Sequence, residues 1–179
     1  MEVSNGVRLR QLIESLDSYR SDSLKDFEVK GISCNSKKIK NNFVFVAIKG
    51  THEDGHRFIQ EAIDKGAKAI VVRSSEFRVR SSDKITFIKV KDTRKALAKL
   101  ASKFYGNPSS RIKTIGITGT NGKTTVTYLI EAILKEAGFI PSVIGTVNYR
   151  FKDKIIPSGT TTPAHIEHQY MFKDMKEAG

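Results

Sequence analysis

The feature that most constrains this chain is the stretch Gly116-Ile-Thr-Gly-Thr-Asn-Gly-Lys-Thr-Thr125. The apolar run at 114–117 predicts a strand before it, and the run at 126–137 predicts a helix after it. That helix would turn one apolar face inward: Leu129, Ile130, Ile133 and Leu134. A strand, a glycine-rich turn and a helix N-terminus bind phosphate, because backbone N–H groups and the helix dipole point at one spot. The sequence therefore predicts a nucleotide-binding loop.

Each residue type in this loop has a physical task. Gly119 and Gly122 lack a Cβ and can adopt turn conformations that other residues avoid. Lys123 carries a charge that can reach the terminal phosphates, and Thr124 offers a hydroxyl to Mg²⁺, which takes few protein ligands. The general phosphate-loop pattern is missed by one position, because Ile117 stands where its first glycine belongs. The alternative is a plain turn with Lys123 capping it.

Composition sets the broad class. A length of 179 residues allows one domain or two small ones, and 39% hydrophobic residues are enough for a core. No apolar run approaches the roughly 20 residues of a membrane span, and the N-terminus lacks a signal-peptide pattern. The single cysteine, Cys34, excludes an intrachain disulfide framework and fits a reducing compartment. We expect a cytoplasmic monomer.

The formal net charge of +12 raises the possibility of nucleic-acid binding. Lysine and arginine are spread over most of the chain, are densest at 73–95, and form no RNA-binding signature. A lysine-rich solvated surface is the favoured interpretation, and its field would also attract an anionic substrate. We expect no nucleic-acid partner.

Strand and helix patterns alternate along the chain, which indicates an α/β fold with a largely parallel sheet. Strands are predicted at 27–32, 43–48, 69–72, 85–90 and 142–145, followed by a hairpin at 147–156. Further helices are predicted at 8–16, 57–66 (with Gly66 as its C-terminal stop), 94–105 (with Asp92 as N-cap) and 163–178. We expect a small N-terminal α/β domain at 1–90. Residues 91–179 would then begin a phosphate-loop domain, truncated before the strand that usually brings an acidic residue to Mg²⁺.

Three stretches resemble the Mur ligases, a family of ATP-dependent amide-forming ligases. Residues 35–50, together with Asp54-Gly-His-Arg-Phe-Ile59, are similar to the UDP-binding N-terminal domain of that family. The loop at 116–125 resembles its ATP loop. The third stretch pairs Ile144-Gly-Thr-Val-Asn-Tyr149 with Thr160-Thr-Thr-Pro163, and it resembles the members that add the third residue of the peptidoglycan stem peptide.

The resemblance implies roles for three groups of residues. The uridine end of the substrate would be held by Cys34, Ser36, Thr51, His52 and Glu53. ATP would be held by Gly119, Thr120, Asn121, Gly122, Lys123, Thr124 and Thr125, with Lys123 also catalytic and Thr124 on Mg²⁺. The muramoyl-peptide portion would be held by Thr160, Thr161 and Thr162, for which a plain helix-capping run is the alternative. Two departures stand out: the family's Asp-Ser-Arg is Asn35-Ser-Lys37, and its Asn-Thr-Thr-Pro begins with Thr160.

The resemblance also implies cofactors and partners. ATP and Mg²⁺ would phosphorylate the carboxylate of UDP-N-acetylmuramoyl-dipeptide, and the amine of an incoming amino acid would attack the acyl phosphate. Diaminopimelate and lysine are the leading amino acids. The family's amino-acid-binding domain lies beyond this chain, so we expect a fragment that does not complete ligation alone. The alternative is a standalone nucleotide- or UDP-sugar-binding module.

Overall fold

The computed structural model describes residues 6–21, 23–50, 53–74, 84–152, 154–158 and 165–177. The chain forms two compact units, Met1–Gly106 and Asn107–Gly179. The sequence placed the boundary after residue 90. The structure places it later, because the helix Thr93–Phe104 packs against the strands of the first unit.

The first unit is a four-stranded sheet in which every neighbouring pair is parallel. The strand order follows the chain: β1 (Gly31–Ser33), β2 (Phe43–Val46), β3 (Ala67–Arg73) and β4 (Thr86–Val90). Its helices are α1 (Leu9–Ile13), α2 (Ile59–Asp64) and α3 (Thr93–Phe104). The α/β class and the parallel sheet predicted from the alternating pattern are confirmed here.

The core of this unit explains why its central strands are continuous apolar runs. Phe45 in β2 and Ile70 in β3 are fully buried and pack with Ile59 and Ala62 of α2. The α3 helix contacts β1, β3 and α1, and its buried residues include Leu100. Parallel strands covered by helices have few positions left for polar residues, so the alternating polar pattern disappears.

Two local signals in the first unit act as predicted. The Asp92 Oδ1 atom accepts hydrogen bonds from the backbone N–H groups of Arg94 (2.8 Å) and Lys95 (3.1 Å), which caps α3. Gly66 follows α2 with a φ of 101°, and a Cβ there would meet the Asn41 Oδ1 atom at 2.1 Å. Only glycine fits that turn.

The second unit is built differently. It contains the antiparallel sheet β5 (Val143–Ile144), β6 (Asn148–Phe151) and β7 (Lys154–Pro157), with helices α4 (Lys123–Glu136) and α5 (His165–Glu177). The predicted hairpin is therefore present. Tyr149 and Phe151 of β6 pack with Met171 and Met175 of α5, and these four residues form the unit's core cluster.

Two expectations about the stretch around the loop are wrong. Residues 114–117 form no strand, and Ile115 is 60% exposed. On α4, Leu129 is 59% and Ile133 66% exposed, while Ile130 and Leu134 are half-buried. Apolar periodicity indicates which residues can be buried, but burial needs a neighbouring element, and the described residues leave Leu129 and Ile133 uncovered.

No helix in the described parts of the chain combines the length and apolar composition needed to cross a membrane.

Candidate functional site

The loop before α4 has the backbone conformation that the sequence predicted. Gly119 has a φ of 150° and Gly122 a φ of 75°, both in the region that favours glycine. Gly122 is the N-cap of α4, and a Cβ at this position would meet no atom within 4 Å. The need for glycine at this position therefore comes from the backbone turn and not from crowding.

The N-terminus of α4 presents unsatisfied donors. The Gly122 carbonyl oxygen accepts the Val126 N–H at 2.9 Å, the first bond of the helix, and no side chain caps the helix. The N–H groups of Lys123, Thr124 and Thr125 have no acceptor within the helix, as in any first turn. Thr124 and Thr125 are also exposed. This helix end can receive an anion.

The Lys123 ammonium group folds back over the loop. Its Nζ atom donates to the carbonyl oxygens of Gly119 (2.6 Å) and Thr120 (3.3 Å). A positive charge therefore lies beside the same turn whose N–H groups are unsatisfied. Phosphate oxygens are stronger acceptors for an ammonium group than neutral carbonyls, because charge-assisted hydrogen bonds are the stronger kind.

Thr124 fits a metal bound through a nucleotide. Its side chain is exposed at the helix end, whereas the Thr127 hydroxyl is engaged, donating to the Lys123 carbonyl oxygen at 2.8 Å. The described residues contain no cluster of three or more His, Cys, Asp or Glu able to hold a metal ion. A single hydroxyl suits Mg²⁺, which takes most of its ligands from phosphates and water.

The predicted uridine residues of the first unit lie beyond the carboxyl ends of two neighbouring parallel strands. Cys34 follows β1 and is exposed. Glu53 lies in the loop after β2, is exposed, and accepts the Gly50 N–H on its carbonyl oxygen at 2.8 Å. The carboxyl end of a parallel sheet is where such folds bind ligands. Thr51 and His52 lie outside the described residues.

Ser36 is less open than the sequence suggested. It is buried in a short 3₁₀ turn, Ser36–Lys38, and its hydroxyl donates to the Glu61 Oε2 atom at 2.7 Å. The pKa of the Glu61 carboxyl is lowered by hydrogen bonds from Lys65 first and from Ser36 second. Asn35 caps this turn by accepting the Lys37 N–H at 2.9 Å, so the amide does the structural work that an aspartate would do there.

The Asp54-Gly-His turn holds the loop after β2 in place. The Asp54 Oδ1 atom accepts from the His56 backbone N–H (3.0 Å) and contacts the ring Nδ1 atom (2.7 Å). These two contacts lower the pKa of the Asp54 carboxyl, the backbone one most. A Cβ on Gly55 would meet the Ile48 backbone at 2.7 Å. The motif therefore shapes the turn that carries Glu53.

Sequence reasoning missed one ionic pair. Arg150 of β6 contacts the Glu131 carboxylate of α4, and both side chains are largely buried, at 14% and 8% exposed. The signal that could have revealed it is a glutamate beside Ile130 and Leu134 on the apolar side of a helix. The predicted substrate residues Thr160, Thr161 and Thr162 lie outside the described residues.

A parallel α/β sheet in one unit and a glycine-rich loop at a helix N-terminus in the other define an α/β protein with the loop geometry typical of nucleotide-binding folds. A family model described as "Mur ligase family, catalytic domain" matches residues 28–105, and one described as "Mur ligase middle domain" matches residues 117–179. The chain belongs to the Mur ligase family. The two matches fall on either side of the structural division between Gly106 and Asn107.

Two similar proteins carry the same name. The UDP-N-acetylmuramoyl-L-alanyl-D-glutamate–2,6-diaminopimelate ligase of Aquifex aeolicus is 52% identical over 84% of this chain and 30% of that protein. The ligase of the same name from Clostridium tetani is 43% identical over 97% of this chain and 36% of that protein. The chain thus spans about a third of the length of these relatives.

Two solved structures resemble the chain. The MurF ligase of Thermotoga maritima in complex with ADP is 30% identical over 80% of this chain and 29% of that one, with a TM-score of 0.50. A structure of a UDP-N-acetylmuramoyl-L-alanyl-D-glutamate–2,6-diaminopimelate ligase is 20% identical, and the match covers 100% of this chain and 34% of that one, with a TM-score of 0.70. The latter match supports the fold alone.

Proposed function

We propose that this chain is the N-terminal part of an ATP-dependent ligase of peptidoglycan precursor synthesis. The ligase would add the third stem-peptide residue to UDP-N-acetylmuramoyl-L-alanyl-D-glutamate. The observation that carries this proposal is the phosphate loop at 119–125, in a chain 52% identical to a relative named for that reaction. The relatives' names favour diaminopimelate as the incoming amino acid. Because the substrates are ATP and a UDP-linked precursor, we place the reaction in the cytoplasm.

The nucleotide would bind at the loop. The N–H groups of the turn and the first turn of α4 would surround the phosphates, contributed by Gly119, Thr120, Asn121, Gly122, Lys123, Thr124 and Thr125. The Lys123 Nζ atom, which now donates to the Gly119 carbonyl oxygen, would turn to the terminal phosphates. Charge that spreads over the transferring phosphoryl group is stabilised by such fixed donors. Each charge-assisted hydrogen bond contributes roughly 1.5–3 kcal/mol.

Mg²⁺ would be held by the exposed Thr124 hydroxyl together with the nucleotide. When bound, Mg²⁺ offsets charge on the phosphates. The reaction then needs no chemical group other than the substrates themselves. The substrate carboxylate takes the γ-phosphoryl group and ADP leaves; the amine then attacks the acyl carbon, loses a proton, and phosphate leaves.

Two groups of residues are assigned to the UDP-linked substrate. We assign the uridine end to Cys34, Ser36, Thr51, His52 and Glu53, and the muramoyl-peptide portion to Thr160, Thr161 and Thr162. The exposure of Cys34 and Glu53 beyond the carboxyl ends of β1 and β2 supports the first assignment. The Ser36 hydroxyl donates its hydrogen to Glu61, so the lone pairs of the Ser36 oxygen can accept a ligand N–H.

Calorimetric titration tests the nucleotide site. Wild-type chain should bind ATP in the presence of Mg²⁺, and Lys123→Ala should weaken binding at least tenfold. Lys113→Ala is the matched control, because Lys113 is exposed in the same unit and its removal changes the net charge equally. Unchanged affinity in Lys123→Ala would contradict the loop assignment.

A ligation assay separates the ligase fragment from a standalone binding module. Because the chain spans about a third of its relatives' length, we expect it to bind UDP-N-acetylmuramoyl-dipeptide without releasing tripeptide product. Product formed by the 179-residue chain would contradict the fragment proposal. Equal affinity for UDP-N-acetylglucosamine and for the muramoyl-dipeptide would favour a general UDP-sugar-binding module.

A further inference from the structure

The phosphate-loop helix α4 is attached to its unit in an unusual way. Glu131 is its only buried residue among those the structure describes, while Leu129 and Ile133 are exposed. The core cluster of the unit joins β6 to α5 and contains no residue of α4. A helix normally owes its orientation to an apolar face. Besides the half-buried Ile130 and Leu134, polar side chains attach α4 to its unit.

One guanidinium group supplies most of these polar contacts. The Arg150 Nη2 atom donates to Glu131 Oε2, its Nε atom lies 3.5 Å from Oε1, and its Nη1 atom donates to the Tyr128 hydroxyl at 3.0 Å. The guanidinium carbon also lies 4.3 Å from the centroid of the Tyr128 ring. Tyr128 and Glu131 are three residues apart and share a helix face, so one planar fork engages two helical positions.

The hairpin holds the backbone of Arg150 in place. Arg150 lies in the middle of β6, paired with Val143 of β5 and Ile155 of β7. Its Nη1 atom also donates to the Asn148 side-chain oxygen of the same strand. The flanking residues Tyr149 and Phe151 belong to the core cluster. Arg150 therefore connects the packed part of the unit to α4 at Glu131, the one buried residue of that helix among those described.

We propose that Arg150 is a positioning residue for the phosphate loop, acting through Glu131 and Tyr128 of α4. This inference rests on the proposed nucleotide site. Glu131 lies eight positions after Lys123, a rise of about 12 Å along the helix. A tilt of about 10° about that point would move the helix N-terminus by about 2 Å, and displacements of about 1 Å are enough to disrupt a site that depends on alignment.

Nucleotide affinity in matched variants tests this proposal. Arg150→Met should lower the affinity for ADP about tenfold, and Arg150→Lys should recover only part of it, because an ammonium group cannot span both partners. Lys135→Met is the control. Lys135 contacts the same Glu131 carboxylate at 2.9 Å and carries the same charge, but it lies on α4 itself and joins nothing to the hairpin. It should change the affinity less than twofold.

A second control separates positioning from loss of stability. Met175→Ala weakens the core cluster without touching α4, so it should lower the melting temperature and leave ADP affinity within twofold. A double variant, Glu131→Gln with Arg150→Met, should bind ADP no more weakly than Arg150→Met alone, because the two residues act as one contact. Additive losses, or an equal loss in Met175→Ala, would overturn the proposal.

Amide hydrogen exchange in the nucleotide-free protein tests, independently of binding, whether Arg150 holds α4 in place. In Arg150→Met the amides of α4 should exchange at least tenfold faster, while those of α5 stay unchanged. Unchanged exchange in α4 would overturn the positioning role. Failure of the wild-type chain to bind ADP would instead count against the proposed function, and the exchange result would still show whether Arg150 anchors the helix.

Discussion

The Lys123 Nζ atom donates to the Gly119 carbonyl oxygen at 2.6 Å, so the loop's own backbone holds the ammonium group beside the unsatisfied N–H groups of α4. An ammonium in this position can exchange a neutral acceptor for a phosphate oxygen with little movement. Lys123→Arg keeps the charge but places a larger planar group against the turn. We predict that it weakens ADP binding at least fivefold, measured by titration. Retained affinity would show that charge alone is sufficient.

The conformation of Gly122 gives a second prediction. With a φ of 75° and open space around its Cβ position, alanine there is opposed by backbone strain alone, about 1–2 kcal/mol. Gly122→Ala should therefore lower both the stability of the second unit and its nucleotide affinity. Gly116→Ala is the control, because Gly116 also has open space but no positive φ. Equal effects in the two variants on urea unfolding would contradict this explanation.

The lowered pKa of the Glu131 carboxyl makes the stability of the protein depend on pH. Hydrogen bonds from Arg150, followed by one from Lys135, lower its pKa below 4.5. Because the folded-state pKa is the lower one, the stabilisation is present above about pH 4.5 and is lost as the pH falls through the folded value. Wild-type protein should lose more thermal stability than Glu131→Gln between pH 6 and pH 3, measured by circular dichroism. Parallel pH profiles would contradict the pairing.

The capping of α3 predicts a local stability effect in the first unit. Asp92→Ala removes the acceptor for two backbone N–H groups and should lower the melting temperature by a few degrees. Asp92→Ser keeps an acceptor at the N-cap and should restore most of the loss. Nucleotide affinity should be the same in both variants, since the loop is in the other unit.

Sequence reasoning worked best where local chemistry decides the structure. The continuous apolar run at 43–48 indicated a buried strand. The structure has the strand Phe43–Val46 there, and helix residues pack against it. The glycines at 119 and 122 indicated a turn that the backbone angles bear out. Asp92 was recognisable as an N-cap for the same reason: its partners lie two and three residues away.

Sequence reasoning failed where structure depends on a distant partner. Residues 114–117 have the composition of a strand, but a strand forms only beside another, and none of the described strands pairs with them. The predicted strand at 27–32 is shorter and later, Gly31–Ser33, because only those residues pair with β2. The contact between Glu131 and Arg150 spans 19 positions and depends on where the hairpin folds, which no local pattern specifies.

A titration of the ¹⁵N-labelled chain with ADP and Mg²⁺, followed by amide chemical shifts, tests the nucleotide site at single-residue level. We predict that the largest changes fall on the backbone amides of residues 119–125 and that Lys123→Ala suppresses them. Shifts confined to the first unit, or no saturable shifts at 119–125 in the folded wild-type chain, would contradict the nucleotide site on which the account depends.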